Sequence, residues 1–376
     1  MRVLHIHSGN LYGGVETLLV TLARHRHLCP AMEPHFALCF DGRLHQELKA
    51  AAVPVELLGQ VRIRKLTSVL KARRRLRALL RDEKFDAVVC HSSWSQALFG
   101  PVARDAQVPL VFWLHNIANG RHWLERLGRR TPPDLALCNS KFTAATLGHL
   151  YPHVHGEIFY YPVAPPSQTF NGEERAATRA EFQTPADATV IIQTSRMEAW
   201  KGQALHLEAL GLLKDVPGWV SWQIGGAQRP EEMNYVSELK KRAIELGISD
   251  RVRFVGQRVD VSRLLAAADI HCQPNLGPEP FGIAFIEALY ARLPVVTTSI
   301  GGACEIVDDS CGVLVPAGEA SALAASLRNL IEDQTLRLKL GANGPSRASS
   351  ICYPSTQMAQ LKDLLAMTAQ REAVNA

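Results

Sequence analysis

Glu279 and Glu287 stand eight positions apart in Glu-Pro-Phe-Gly-Ile-Ala-Phe-Ile-Glu, where a Pro-Phe-Gly turn runs into an apolar, helix-forming stretch. Were the whole span helical, a rise of roughly 1.5 Å per residue would set their Cα atoms about 12 Å apart. The carboxyls of a retaining glycosidase lie only about 5 Å apart, so these two do not attack one atom together. With one carboxylate before a helix N-terminus and the other within the helix, the pair suits hydrogen bonding to hydroxyls on two different rings. That is a binding geometry.

Short apolar runs must position these residues, and they alternate with helical patterns along the chain. The runs cover residues 3–6, 35–39, 53–57, 87–90, 110–114 and 135–138, then 190–193, 220–224, 252–255, 270–273, 295–298 and 312–315. Such alternation produces parallel sheets with helices on both faces. The expected fold is α/β, with two doubly wound, Rossmann-like domains. The prolines Pro162, Pro165 and Pro166 and the polar stretch behind them mark the break. The expected domains are therefore 1–165 and 166–352, with a last helix in 353–376 that packs back across the junction.

Ligands of open α/β sheets sit where strands end and helices begin, and five such turns carry candidate residues. The first, Ser8 to Gly14, ends in Gly13-Gly14, which lets backbone amides approach an anion or simply makes a tight turn. It lacks the Gly-x-Gly-x-x-Gly spacing of a dinucleotide site. The second, Ser195 to Gly202, sets Arg196 and Lys201 five positions apart, a spacing that suits a diphosphate or a solvated surface pair. In the third, the amides of Ile283 and Ala284 open the helix behind Glu279 and would face a phosphate. The fourth is the Gly301-Gly302 turn. The fifth is Trp113-Leu114-His115-Asn116, where His115 is either a structural hydrogen bonder or a catalytic group.

At 376 residues and 47% apolar composition the chain can bury more than one core. No apolar run reaches the ~18 residues of a spanning helix, and polar residues interrupt the Met-Arg-Val-Leu-His-Ile-His start, so a cytoplasmic protein is expected. The eight cysteines form no Cys-x-x-Cys pair, which favours buried reduced thiols over disulfides or a metal site. The absence of an Asp-x-Asp pair argues against a carboxylate-held Mg²⁺ on a diphosphate. There is no Gly-x-Ser-x-Gly elbow either.

Taken in order, the segments resemble glycosyltransferase family 4, the retaining nucleotide-sugar transferases of the GT-B fold. The likeness spans nearly the whole chain. It rests on Gly13-Gly14, the Ser195 to Gly202 turn, Ile224-Gly225-Gly226, Asp250 to Gly256, Ala268-Asp269, the Glu279 to Glu287 segment, Leu293 to Val296 and Gly301 to Glu305. The resemblance implies two domains across a cleft, the first for the acceptor and the second for the donor. It implies that Arg196 and Lys201 hold the diphosphate, that Glu279 with the Phe281 and Gly282 amides holds donor-sugar hydroxyls, and that Glu287 holds the ribose. His115 corresponds to the family histidine near the transferred sugar. The loop backbone around Gln257 and Arg258 is expected to meet the base.

The activity implied is transfer of a hexose-like sugar to a hydroxyl of a glycan or lipid-linked glycan, with retention by a same-face path. No metal and no cofactor beyond the nucleotide-sugar substrate is expected. Rival readings are a nucleotide-sugar epimerase or sugar phosphorylase of the same fold, and a non-catalytic nucleotide-sugar binding protein. Departures from the family pattern are Cys304 for a common proline, Asn275 for a serine, and Arg292 where a glycine usually makes the left-handed helix cap.

Arg62 to Lys84 holds ten Lys and Arg against Asp82 and Glu83, a net charge of +8, while the whole chain carries +5, so the remainder is −3. Leu66, Val69, Leu70, Leu76, Leu79 and Leu80 recur at helical spacing. The segment reads as an amphipathic helix whose cations are solvated or dock on an anionic membrane, with Arg121, Arg126, Arg129 and Arg130 as an extension. Nucleic acid is not expected, because no recognition motif accompanies the charge.

Overall fold

Runs such as Ala87 to His91 are apolar on both faces, and only a sheet covered on both sides can bury them. The computed structural model describes residues 1–227 and 229–375, with side chains as far as residue 370. The chain forms two compact units, Met1–Ala164 with Cys352–Ala376, and Pro165–Ile351.

The first unit holds β1 (Arg2–His7), β2 (Glu33–Leu38), β3 (Val55–Leu57), β4 (Ala87–His91), β5 (Leu110–Leu114), β6 (Leu135–Cys138) and β7 (Gly156–Ile158). All pair in parallel, in the order β3-β2-β1-β4-β5-β6-β7. The second unit holds β8 (Thr189–Thr194), β9 (Trp219–Ile224), β10 (Val252–Gly256), β11 (Ile270–Gln273), β12 (Val295–Thr298) and β13 (Gly312–Val315). Their order is β10-β9-β8-β11-β12-β13, again parallel throughout. The strand order reverses between β1 and β4 and between β8 and β11. Loops diverge there, which opens a crevice beyond the strand ends.

The doubly wound fold is as expected. β7 escapes sequence reasoning because Gly-Glu-Ile is too short for a pattern and leaves no residue fully buried. The polar stretch behind the prolines also holds an unexpected helix, Gly172–Glu181, capped by Asn171. That helix has no apolar stripe of the usual width. Arg175 and Arg179 fasten it instead, each donating to Asp269 at 2.6 Å and to carbonyls of Ala266, Ala267 or Ala268.

The last helix, Pro354–Asn375, buries Met358, Leu361 and Leu365 in the first unit. Val163 donates to the Cys352 carbonyl where the chain returns. Arg292 does take φ 61°, at a cost of roughly 1–2 kcal/mol for a residue with a Cβ. Among the described residues all eight cysteines are free and seven are buried, Cys304 being the exposed one.

The basic segment forms the helix Leu66–Asp82, buried along Val69, Ala72, Leu76 and Leu80. Leu66 and Leu70 lie off that stripe, 74% and 61% exposed. Arg73 does not reach solvent as a free cation, because its Nε donates to the Leu98 carbonyl at 2.6 Å.

Candidate functional site

The turn after β8 and the loop after β11 converge at the second reversal of strand order. Lys201 Nζ donates to Glu279 Oε2 at 2.5 Å, with both side chains nearly enclosed. The same oxygen meets Gln273 Nε2 at 3.3 Å and Asn275 Nδ2 at 3.4 Å. Asn275 thus belongs to the site, although its replacement of a serine had no evident consequence in the sequence. Trp200 lies under Lys201, with Nζ 4.0 Å from the ring centroid. Arg196 pairs with Glu198 at 3.0 Å and is about one-third exposed.

Close backbone approach explains two glycines. Gly202 has φ 76°, and a Cβ there would fall 1.8 Å from the Pro274 carbonyl oxygen, so only glycine lets the Lys201 turn press on the β11 loop. Gly302 donates its amide to the Glu279 carbonyl at 2.7 Å. The Gly301-Gly302 turn therefore clamps the Glu279 segment.

Gly282, at φ 112°, starts the helix Ile283–Tyr290 beside the buried Phe281 ring. The amides of Ile283 and Ala284 fall in its first turn, where helical N–H groups have no intrahelical acceptor. Glu287 lies one turn deeper. Its carboxyl has no hydrogen-bonding partner among the described residues, and burial pushes its pKa from 4.5 up to about 7.

Because that folded-state value exceeds the unfolded one, Glu287 favours folding while neutral and loses that advantage as pH rises through about 7. Glu287→Gln is thus expected to raise the melting temperature of the ligand-free protein at pH 8 and to leave it unchanged near pH 4. The gain should be about 1–3 kcal/mol, the lower part of that range reflecting partial exposure. A variant no more stable than wild type at pH 8 would show that the carboxyl is well solvated.

The Arg258 side chain is engaged within its own unit. Its guanidinium grips Asp260 through two bonds of 2.8 Å and Glu181 at 3.0 Å, while Arg263 binds the same two carboxylates. The Arg258 guanidinium, with Arg263 beside it, holds the Asp260 carboxyl well below the usual carboxylate range and fixes the loop behind β10. Gln257 is exposed beside Gly226.

In the first unit, Gly13 donates its amide to Glu16 Oε2 at 2.8 Å, while Glu16 Oε1 meets His7 Nε2 at 2.7 Å. Gly14 opens the helix that follows. His115 lies in a buried chain: His5 Nδ1 meets His91 Nε2 at 2.9 Å, His91 Nδ1 meets His115 Nε2 at 2.9 Å, and His115 Nδ1 meets the Tyr161 hydroxyl. Both ring nitrogens of His115 are therefore occupied within the unit, and burial holds its pKa well below the usual 6.5. Sequence reasoning missed His5, His7 and His91. The His-x-His spacing on β1 was the available sign, since alternate residues of a strand share a face.

Two parallel sheets with this strand order and loop chemistry are the GT-B glycosyltransferase architecture. A crystal structure of Anabaena HepE in complex with UDP and glucose superposes with a TM-score of 0.86 at 25% identity, over 98% of this chain and all of that one. Residues 12–161 match the family Glycosyltransferase Family 4, and residues 174–347 match Glycosyl transferases group 1. The chain belongs to glycosyltransferase family 4.

The lipopolysaccharide core biosynthesis glycosyltransferase LpsE of Rhizobium meliloti is 32% identical over 177 residues, 47% of this chain and 49% of that protein. The D-inositol 3-phosphate glycosyltransferase of Corynebacterium kroppenstedtii is 28% identical over 73% of this chain and 66% of its own length. The chain thus spans about half the length of the first relative and about two-thirds of the second.

Proposed function

We propose that the protein transfers a hexose from UDP to a hydroxyl of a glycan or lipid-linked glycan, with retention of anomeric configuration. The observation that carries this reading is the enclosed Lys201–Glu279 pair at the strand-order reversal, beside the amides of Ile283 and Ala284. A cation and helix amides suit the diphosphate, and Glu279 suits the hexose hydroxyls. Glu287, a carboxyl without a partner among the described residues, suits the ribose diol. UDP is preferred over other nucleotides because HepE, which binds UDP and glucose, covers nearly this whole chain.

Retention by a same-face path is favoured because Glu279 and Glu198 are engaged in ion pairs and Glu287 is assigned to the ribose. Glu279 pairs with Lys201, and Glu198 pairs with Arg196 and accepts from the Trp200 indole. The leaving phosphate oxygen then takes the acceptor proton, while Lys201, Arg196 and helix amides neutralise the charge that develops on it. No metal is required in this scheme. Among the described residues no group of three or more His, Cys, Asp or Glu is placed to hold a metal ion.

The test begins with thermal shift against UDP, GDP, ADP and their hexose conjugates. A ligand at one hundred times its dissociation constant should add about 2.7 kcal/mol, and UDP-hexoses should lead. Transfer to glycan acceptors is then followed with and without EDTA, and the anomeric proton of the product is read by NMR. Donor binding without transfer would point to a binding protein, and turnover without acceptor to an epimerase. A strict Mn²⁺ or Mg²⁺ requirement would remove the metal-free step.

The acceptor-side proposal rests on the helix Leu66–Asp82. Leu66 and Leu70, one turn apart and exposed, sit among exposed Arg64, Lys65, Lys71 and Arg74. Apolar side chains ringed by cations suit an anionic bilayer surface, where each cation adds about 1 kcal/mol. No helix among the described residues is long and apolar enough to cross a membrane. Sedimentation with phosphatidylglycerol vesicles should occur at low salt and vanish at about 0.5 M, where the Debye length falls below about 5 Å. It should also fail for Lys71→Glu/Arg74→Glu and for Leu66→Ser/Leu70→Ser. Arg73 is unsuitable for reversal because it holds the neighbouring helix.

A further inference from the structure

The core of the second sheet carries polar groups that a purely structural core would avoid. Gln193 on β8, Gln223 and Ser221 on β9, and His206 on the helix Gln203–Gly211 are each at most 1% exposed. Burying such groups is costly unless their bonds are made, so the direction of those bonds is informative. Gln193 Nε2 donates to the Lys201 carbonyl at 2.8 Å.

A carbonyl only accepts, so this bond settles which way the Gln193 amide faces. Gln193 Oε1 must then look toward His206 Nδ1, 2.9 Å away. His206 Nδ1 therefore carries the ring proton. Gln223 Nε2 lies 3.2 Å from the same nitrogen but is itself a donor, and it donates to Ser221 Oγ at 3.0 Å, so it packs against the ring without taking the Nδ1 proton. Burial lowers the His206 pKa to about 3, so the ring stays neutral and its one N–H serves the bond to Gln193 Oε1.

A second buried glutamine grips the other end of the turn. Gln203 Nε2 donates to the Arg196 carbonyl at 2.9 Å and to Ser195 Oγ at 3.0 Å. The two cations of the turn are thus each held at the backbone by a buried side-chain amide.

We infer that His206 and Gln193 are positioning residues for Lys201: the His206 ring orients the Gln193 amide, which holds the Lys201 backbone so that its ammonium stands at the diphosphate position. The inference rests on the proposed reading of Lys201 as a diphosphate ligand. Neither residue touches substrate. Their effect passes through one carbonyl.

The test is UDP binding by calorimetry, with melting temperature recorded for every variant. His206→Leu removes the donor and is expected to weaken UDP binding about 3–10-fold, the worth of one net hydrogen bond. His206→Asn, whose Nδ2 takes the place of Nδ1, should restore affinity to within about twofold. In a Lys201→Ala background, His206→Leu should cost nothing further, because the group it positions is gone. A general loss of stability would instead act equally in both backgrounds.

Gln193→Met, close in volume and without a donor, carries the same expectation if the His206 variants fold poorly. Unchanged affinity in His206→Leu and Gln193→Met, or additive losses with Lys201→Ala, would overturn the inference while leaving the diphosphate reading intact. Failure of the wild-type protein to bind UDP would overturn both.

Discussion

Lys201→Ala is expected to lower UDP affinity and turnover at least about tenfold each, since a charge-assisted bond is worth about 1.5–3 kcal/mol. The ammonium lies in an enclosed site, 13% exposed, where water screens it poorly. Its neighbour gives the prediction a second arm with the opposite sign. In the ligand-free protein Glu279 Oε2 is bonded to Lys201 Nζ at 2.5 Å, so an arriving diphosphate must share or displace a carboxylate. Glu279→Gln should therefore bind free UDP as tightly as wild type or severalfold more tightly. Its transfer rate should still fall at least about tenfold, because the hexose loses an anionic acceptor. Calorimetry with UDP and initial rates with UDP-hexose separate the two arms. A Lys201→Ala protein within twofold of wild type in both would show that the pair is purely structural.

Asp269→Ala should be the most damaging single change in the second unit away from the donor site. Its carboxylate accepts from Arg175 and Arg179 at 2.6 Å and from the Val190 amide at 2.7 Å. Those bonds tie the helix Gly172–Glu181 to the starts of β8 and β11. Removing the anion strands Arg179, whose side chain is only 7% exposed. Breaking a buried pair from one side costs about 3–5 kcal/mol, and about 3 is apt where Asp269 retains some exposure. The melting temperature should drop by about 6–12 °C, at 2–4 °C per kcal/mol. Glu332→Ala serves as the control, because the Arg328–Glu332 pair is solvent-exposed at 3.5 Å and should contribute less than about 1 kcal/mol. Similar melting shifts for the two variants would refute the assignment of Asp269 as a staple.

Much of the fold was legible because its strands are short, continuously apolar and bounded by glycine or helix signals. Leu110–Leu114, Leu135–Cys138, Ile270–Gln273, Val295–Thr298 and Gly312–Val315 fall where their apolar runs place them. The helix Gly172–Glu181 was not legible, because ion pairs and carbonyl bonds anchor it and those partners lie about ninety positions away. The edge strand Gly156–Ile158 was too short to carry a period. Of the basic helix, sequence periodicity found the buried stripe. It could not tell that Arg73 turns inward or that Leu66 and Leu70 face solvent, since neighbouring helices decide both.

The sequence by itself determined the parallel α/β class, the pairing of two doubly wound units and the strand-to-helix turns that bear Arg196, Lys201, Glu279 and Glu287, because hydrophobic period and glycine placement are local properties. Only the tertiary structure decided what each of those groups touches. It closed Lys201 on Glu279, drew Asn275 and Gln273 to the same oxygen, left Glu287 without a partner among the described residues, and joined the Arg258 side chain to Asp260 and Glu181. It also spent both ring nitrogens of His115 on His91 and Tyr161. Hydrogen-bond partners are selected by distances of about 3 Å between atoms far apart in the chain, and residue spacing along one chain does not encode those distances.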